Sequence, residues 1–140
     1  WRDFKSILRE DSDFYLLQKD VRSAELPELA LEPRIHCPLI QNFEDTTALI
    51  QLMDRVISVD TCIAHLAGAL NVPVWLLLHG VPDWRWLAKG HQTRWYASMT
   101  LFRKASGEEW ASVINRVSHA LRADCENPPL DALDAADSRA

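Results

Sequence analysis

The chain has 140 residues, 48% apolar and 25% charged, the composition of one globular domain with room for a core. Its formal net charge is -5, which argues against a nucleic-acid groove. Most of that charge lies after Ala123, where Asp124, Glu126, Asp131, Asp134 and Asp137 face only Arg139, so the remainder is close to neutral.

Trp1 to Arg9 repeats Trp1, Phe4, Ile7 and Leu8 at helical spacing and is predicted as an amphipathic helix, broken by Asp11-Ser12-Asp13. Phe14 to Leu17 is short, apolar and aromatic, and reads as a buried strand ended by Gln18-Lys19-Asp20. Residues 21–33 are polar, contain Pro27 and Pro33, and predict a loop with at most one helical turn. Arg34 to Ile40 is a weaker strand. A helix follows, capped by Asp45 or Thr46, with Ala48, Leu49, Leu52 and Met53 as its buried stripe. Arg55 to Val59 is a β-branched strand, Thr61 to Leu70 a helix stopped near Asn71 and Pro73, and Val74 to Leu78 another apolar strand. Met99 to Arg103 makes a last strand, and Glu108 to Arg122 a helix with Trp110, Val113, Ile114, Val117 and Leu121 on one side. Residues 123–140 predict a disordered or extended acidic tail. Strands that alternate with helices and are apolar on both faces predict an α/β fold. Its architecture is a three-layer Rossmann-like parallel sheet of about five strands with helices on both faces, in one domain over residues 1–122.

Cys37, Cys62 and Cys125 are odd in number and form no CxxC pair, so neither a disulfide framework nor a zinc site is indicated and a reducing cytoplasm is the default compartment. No apolar run approaches membrane-spanning length and no signal peptide opens the chain, which starts at Trp1 without a Met, as a piece of something longer would.

The chemistry concentrates in SVDTCIAHLAGALNVPVWLLL, Ser58 to Leu78. In open parallel sheets ligands sit beyond the carboxyl ends of the strands, and Asp60 lies at such an end. Thr61 opens the next helix, where free N–H groups and the helix dipole favour an anion. Thr61 and His65 are four residues apart and share a helical face. Asp60, beside a phosphate, would be repelled unless it bonds a sugar hydroxyl or a backbone N–H. Ala64, Ala67, Gly68 and Ala69 are small enough to let the helix press against the sheet or a ligand. Taken singly, each polar residue reads as a cap or a satisfied core group; three at one helix end tilt the reading towards binding. In Pro82-Asp83-Trp84-Arg85-Trp86, either the aromatics wall a base or sugar with Arg85 on a phosphate, or the Trp residues pack and Arg85 pairs with Asp83. Trp95-Tyr96 is open in the same way. Cys62 reads as a buried, inert thiol, and His36, His91 and His119 as incidental.

VISVDTCIAHLAGALNVPVWLLL, with PDWRWL, WYAS and LFRK after it, resembles the C-terminal half of GT-B glycosyltransferases. The nearest pattern is that of the ADP-heptose:lipopolysaccharide heptosyltransferases and their relatives that follow TPR repeats. The resemblance implies the nucleotide-sugar donor-binding half of a metal-independent hexosyl or heptosyl transferase, taking an ADP-, UDP- or GDP-sugar and incomplete without an acceptor-binding half. It implies donor contacts at Asp60, Thr61 and His65, with Gln18 and Lys19 near the ribose or phosphates, Gln41 to Asp45 bordering the base, and Arg85 on the donor. No catalytic residue and no metal ligand is assigned, the one D-x-D triplet, Asp11-Ser12-Asp13, being read as a helix break, and no further cofactor is called. Departures from the pattern are Cys62 in place of a Gly, His79-Gly80 in place of a Pro-containing turn, and Gly90 to Ser98, which lacks an Arg and two Pro. These leave open a degenerate, non-catalytic binding module. The pattern also begins with a strand that is absent here. The chain must then close the gap, pair in the order 2-1-3-4-5 from Phe14 onwards, or borrow a partner's strand, as in a homodimer.

Overall fold

The structure, a computed structural model, describes residues 2–8, 11–81 and 83–126. In chain order it contains a 3-10 helix (Arg2–Ile7), β1 (Phe14–Tyr15), α1 (Leu26–Ala30), β2 (Ile35–His36), α2 (Phe43–Gln51), β3 (Val56–Val59), α3 (Cys62–Ala69), β4 (Val74–Leu78), a 3-10 turn (Trp84–Trp86), β5 (Met99–Arg103) and α4 (Trp110–Glu126). Every ladder between these strands is parallel.

β4 is the centre. All five of its residues are buried, which is why VWLLL carries no polar alternation. It pairs on one side with β3, Val56 opposite Val74, and on the other with β5, Val74 opposite Met99. The pleat sends Val74, Leu76 and Leu78 to one face, where they meet Val56, Met99 and Leu101 beneath Ile50 of α2 and Ala64 and Ala67 of α3. Trp75 and Leu77 go to the other face, against Ile7 and against Val113, Ile114 and Val117 of α4. Helices therefore cover both faces of a Rossmann-like parallel layer, as the alternation of elements predicts. No helix among the described residues is long and apolar enough to cross a membrane.

The predicted single sheet of about five strands is a correction: the strands form a pair, β1–β2, and a triplet, β3–β4–β5. Among the described residues β1 and β3 share no ladder, so the order 2-1-3-4-5 does not close. Phe14 and Leu17 nonetheless pack against the two apolar clusters on opposite faces of the triplet, so the short pair continues the same layer. β2 ends at His36 rather than Ile40 because Pro38 has no N–H for a ladder.

Other boundaries differ for local reasons. The opening segment is a 3-10 helix, too short to sustain an α-helix, held by Ile7 in the core and by Ser118 Oγ donating to the Ser6 carbonyl at 3.0 Å. Trp1 and Arg9 lie outside the described residues. The cap of α2 is Asn42, in a capping box with Asp45, and not Asp45 or Thr46. The buried side of α2 is Thr46 and Ile50, whereas Ala48 and Leu52 are exposed. α4 runs through Glu126, so the first residues of the predicted tail are helical; Arg55, which pairs with Asp124 and lies 4.0 Å over the Trp75 ring, anchors that last turn. Residues 127–140 of the predicted tail lie outside the described residues.

The entry into α4 is fixed by charge. Glu108 accepts from the Ala105 N–H at 2.7 Å and pairs with Arg116, which also donates to the Arg103 carbonyl at 2.6 Å. The Arg116 hydrogen bond, then the Ala105 N–H, hold the Glu108 carboxyl below its usual range. A carboxyl lowered on folding contributes stability that is present above its unfolded pKa and is lost as pH falls through the folded value. Denaturant titrations through the acid range are expected to show stability falling below the ordinary carboxylate range, with part of that slope missing in Glu108→Gln. Identical slopes in the two proteins would refute the linkage.

Candidate functional site around the start of helix α3

The turn between β3 and α3 is built from four polar or small steps. Ser58 Oγ donates to the Val59 carbonyl at 2.8 Å, so in the 3.2 Å contact between Ser58 Oγ and Thr61 Oγ1 it is Thr61 that donates. Thr61 is the N-cap residue of α3 in extended conformation, but its side chain caps no N–H. Among the described residues the N–H groups of Cys62 and Ile63 have no acceptor, and Thr61 and Cys62 are exposed. The helix thus presents unpaired donors and the positive end of its dipole to solvent. Cys62 is not the buried thiol predicted: it sits in the first turn of α3, on the outward side.

Asp60 and His65 face a different task. Trp86 is 1% exposed, and its indole N–H donates to Asp60 Oδ2 at 2.8 Å. His65 stacks on the Trp86 ring at 5.3 Å between centroids, with Nδ1 3.1 Å from the Tyr96 hydroxyl and Nε2 3.6 Å from Asp60 Oδ1. The Tyr96 ring fits because position 68 has no side chain: a Cβ there would lie 2.5 Å from Tyr96 Cγ. The small residues of α3 therefore divide their roles. Ala64 and Ala67 are buried against the strands, Gly68 receives Tyr96, and Ala69 is exposed.

The structure brings Asp60, Thr61 and His65 together as predicted, and adds Trp86 and Tyr96, whose parts the sequence left open. One signal for them exists in the sequence: a buried Trp needs an acceptor for its N–H, and a carboxylate at a strand end can supply one. Gln18 and Lys19 lie elsewhere, at the carboxyl end of β1. Gln18 Nε2 donates to the Asp20 carbonyl at 2.7 Å and Lys19 Nζ to the Gln41 carbonyl at 2.9 Å. Both line an open depression of about 330 Å³ together with Leu16, Asp20, Cys37 and Pro38. They belong to the β1–β2 pair, which shares no ladder with the sheet that carries Asp60. Arg85 pairs with Asp83 at 2.8 Å and lies 5.1 Å over the Trp84 ring, which is the packing alternative for PDWRW, as is the burial of Trp86. Pro82 lies outside the described residues. A second groove, of about 420 Å³, runs beside β5 and α4, where its charged side chains Arg116 and Glu108 pair with each other.

The family model of glycosyltransferase family 9 (heptosyltransferase) matches residues 36–81, from the end of β2 through α2, β3 and α3 to just past β4. The match covers less than half of the chain. It includes Asp60, Thr61 and His65, and excludes Gln18, Lys19, Arg85, Trp86 and Tyr96. No curated protein and no solved structure gives a significant match. The match and the parallel α/β layer together support a glycosyltransferase-like module.

Gly68→Ala is expected to destabilise the fold by about 1–3 kcal/mol, the usual range for overpacking. Urea denaturation of Gly68→Ala, Tyr96→Ala and the double variant checks the cause. The double variant should fall well short of the sum of the two, because one clash underlies both. Strict additivity would show that Tyr96 does not occupy this space.

Proposed function

We propose that this chain is the nucleotide-diphospho-sugar donor-binding half of a metal-independent glycosyltransferase, one half of a GT-B fold, and that it is catalytically incomplete without an acceptor-binding half. The observation that carries this is the start of α3: two unpaired N–H groups beside an exposed Thr61, at a strand end, inside the stretch that resembles glycosyltransferase family 9. Transfer from a nucleotide sugar releases a diphosphate, and fixed donors and a helix dipole can hold that developing charge without a metal. In this reading the N–H groups take the diphosphate together with Thr61, its hydroxyl turned away from Ser58. Asp60 and His65 fix the wall of the site through Trp86 and Tyr96, and His65 Nε2 is the one of its nitrogens left for the donor. Gln18 and Lys19 bound the ribose side, and Arg85 reaches a phosphate by leaving Asp83.

The split layer supports the same reading. Ligands in doubly wound folds sit where the strand order reverses, and here the β1–β2 pair and the β3–β4–β5 triplet share no ladder, which leaves a break between them. A further parallel strand, from polypeptide before Trp1 or from a second copy in a homodimer, would fill it and join the Gln18–Lys19 side to the Thr61 side. Hydrogen exchange checks this step. Amides of Ile57 and Val59, on the free edge of β3, should exchange quickly in this chain and become protected in a longer polypeptide that carries the strand. Equal exchange in both would eliminate the inserted strand.

Donor binding is tested by thermal shift with ADP-, UDP- and GDP-sugars. A ligand at 100-fold over its Kd adds about 2.7 kcal/mol. Thr61→Val should reduce the shift while lowering the unliganded midpoint only slightly, because the Thr61 side chain caps no N–H and gives up one exposed contact with Ser58. The second reading, a degenerate non-catalytic module, is favoured by one observation: Asp60 and His65 already have partners within the chain. A folded sample that no nucleotide sugar shifts would select that reading.

A further inference from the structure

Each ring nitrogen of His65 faces an oxygen. Nδ1 lies 3.1 Å from the Tyr96 hydroxyl and Nε2 3.6 Å from Asp60 Oδ1. The ring is held between two aromatics, stacked on Trp86 at 27° and edge-on to Tyr96 at 66°. One orientation serves both oxygens, since a half-turn of the ring would set carbons against each of them.

A neutral imidazole carries one proton, on one nitrogen or the other. Asp60 decides which. With the proton on Nδ1, the Nε2 lone pair would point at a carboxylate. With the proton on Nε2, an N–H points there instead, and Nδ1 is left as an acceptor. Tyr96 then has one role open to it, that of donor, and a phenol O–H can fill it. Asp60 is fixed for this purpose by its other oxygen, which accepts the buried Trp86 N–H at 2.8 Å. At 3.6 Å the Asp60 contact orients the Nε2–H without bonding it, so this donor stays free for a further acceptor. Packing alone does not call for the Tyr96 hydroxyl. The atoms nearest to the missing Cβ of Gly68 are Cγ, Cδ1 and Cδ2 of the Tyr96 ring, which a Phe would supply equally well.

We infer that Tyr96 is a positioning residue. Its O–H donates to His65 Nδ1 and holds the neutral imidazole as the Nε2–H tautomer, so that an N–H rather than a lone pair meets a phosphate oxygen at the start of α3. That His65 meets a phosphate rests on the donor-binding reading; the tautomer does not. A lone pair in the same place would repel the anion, so the direction of one hydroxyl decides whether His65 helps or hinders. Gly68 gains a part in recognition as well, because the absence of its Cβ admits the ring that reaches His65.

Long-range proton–nitrogen correlation spectra of the full chain read the tautomer at about pH 8.5, well above the ordinary imidazole range. The expected result for His65 is a protonated Nε2 and a hydrogen-bonded, unprotonated Nδ1. In Tyr96→Phe the Nδ1 resonance should move towards that of an unbonded nitrogen. Binding of ADP and of inorganic pyrophosphate, followed by calorimetry, should weaken about three- to tenfold in Tyr96→Phe, the loss expected for one hydrogen bond. The double variant Tyr96→Phe/His65→Ala should bind no more weakly than His65→Ala alone, because Tyr96 acts through His65. A protonated Nδ1 in the parent, an Nδ1 resonance that Tyr96→Phe leaves in place, undiminished binding in Tyr96→Phe or additive losses in the double variant would overturn the inference. The expected tautomer in a chain that binds neither ADP, pyrophosphate nor any nucleotide sugar supports the positioning of His65 by Tyr96 and removes the donor reading instead.

Discussion

The hydrogen bond from the buried Trp86 indole to Asp60 is the constraint on which this end of the molecule depends. An indole N–H taken out of water without a partner costs about 1–3 kcal/mol, and a carboxylate is the stronger kind of acceptor. Satisfying it draws the 3-10 turn down onto the end of β3, although 26 residues separate the two in sequence. Everything around the start of α3 is arranged on that contact. His65 stacks on the Trp86 ring, Tyr96 bonds His65, and Gly68 leaves the space that lets Tyr96 in. Arg103 holds the outer side of the same segment through its carbonyls.

The regular elements were legible where burial on both faces dictated them. β4 and β5 have the predicted bounds, and the predicted face of α4 is the buried one, because long apolar patterns leave little choice of phase. The stripe of α2 was misplaced. Counting apolar letters selects Leu52, which is 76% exposed past the end of the helix, and passes over Thr46, which is 6% exposed and turns its hydroxyl to the Asn42 carbonyl. The division of the layer into a pair and a triplet was not legible either, since hydrogen bonding between strands depends on spacing rather than composition.

At the candidate site the sequence named residues that the structure brings together, without their partners. Asp60, Thr61 and His65 do converge, as the strand–turn–helix pattern requires. Their partners Trp86 and Tyr96 lie 26 and 31 positions away, respectively, and local spacing carries no information about such contacts. Cys62 was read as a buried, inert thiol, yet it opens the helix on the outward side.

The engagement of Asp60 also bears on a conflict within the site. A carboxylate next to a helix start that receives a diphosphate would oppose it, by roughly 1 kcal/mol at 4 Å even in bulk water and by more near a protein surface. Here one oxygen of Asp60 accepts the Trp86 N–H and the other faces His65 Nε2. The indole dipole opposes its charge, and Thr61 and two backbone N–H groups remain the outward-facing set. The same contacts serve two purposes. They complete a buried aromatic core, and they make the turn after β3 more acceptable to an anion than its sequence, read letter by letter, suggests.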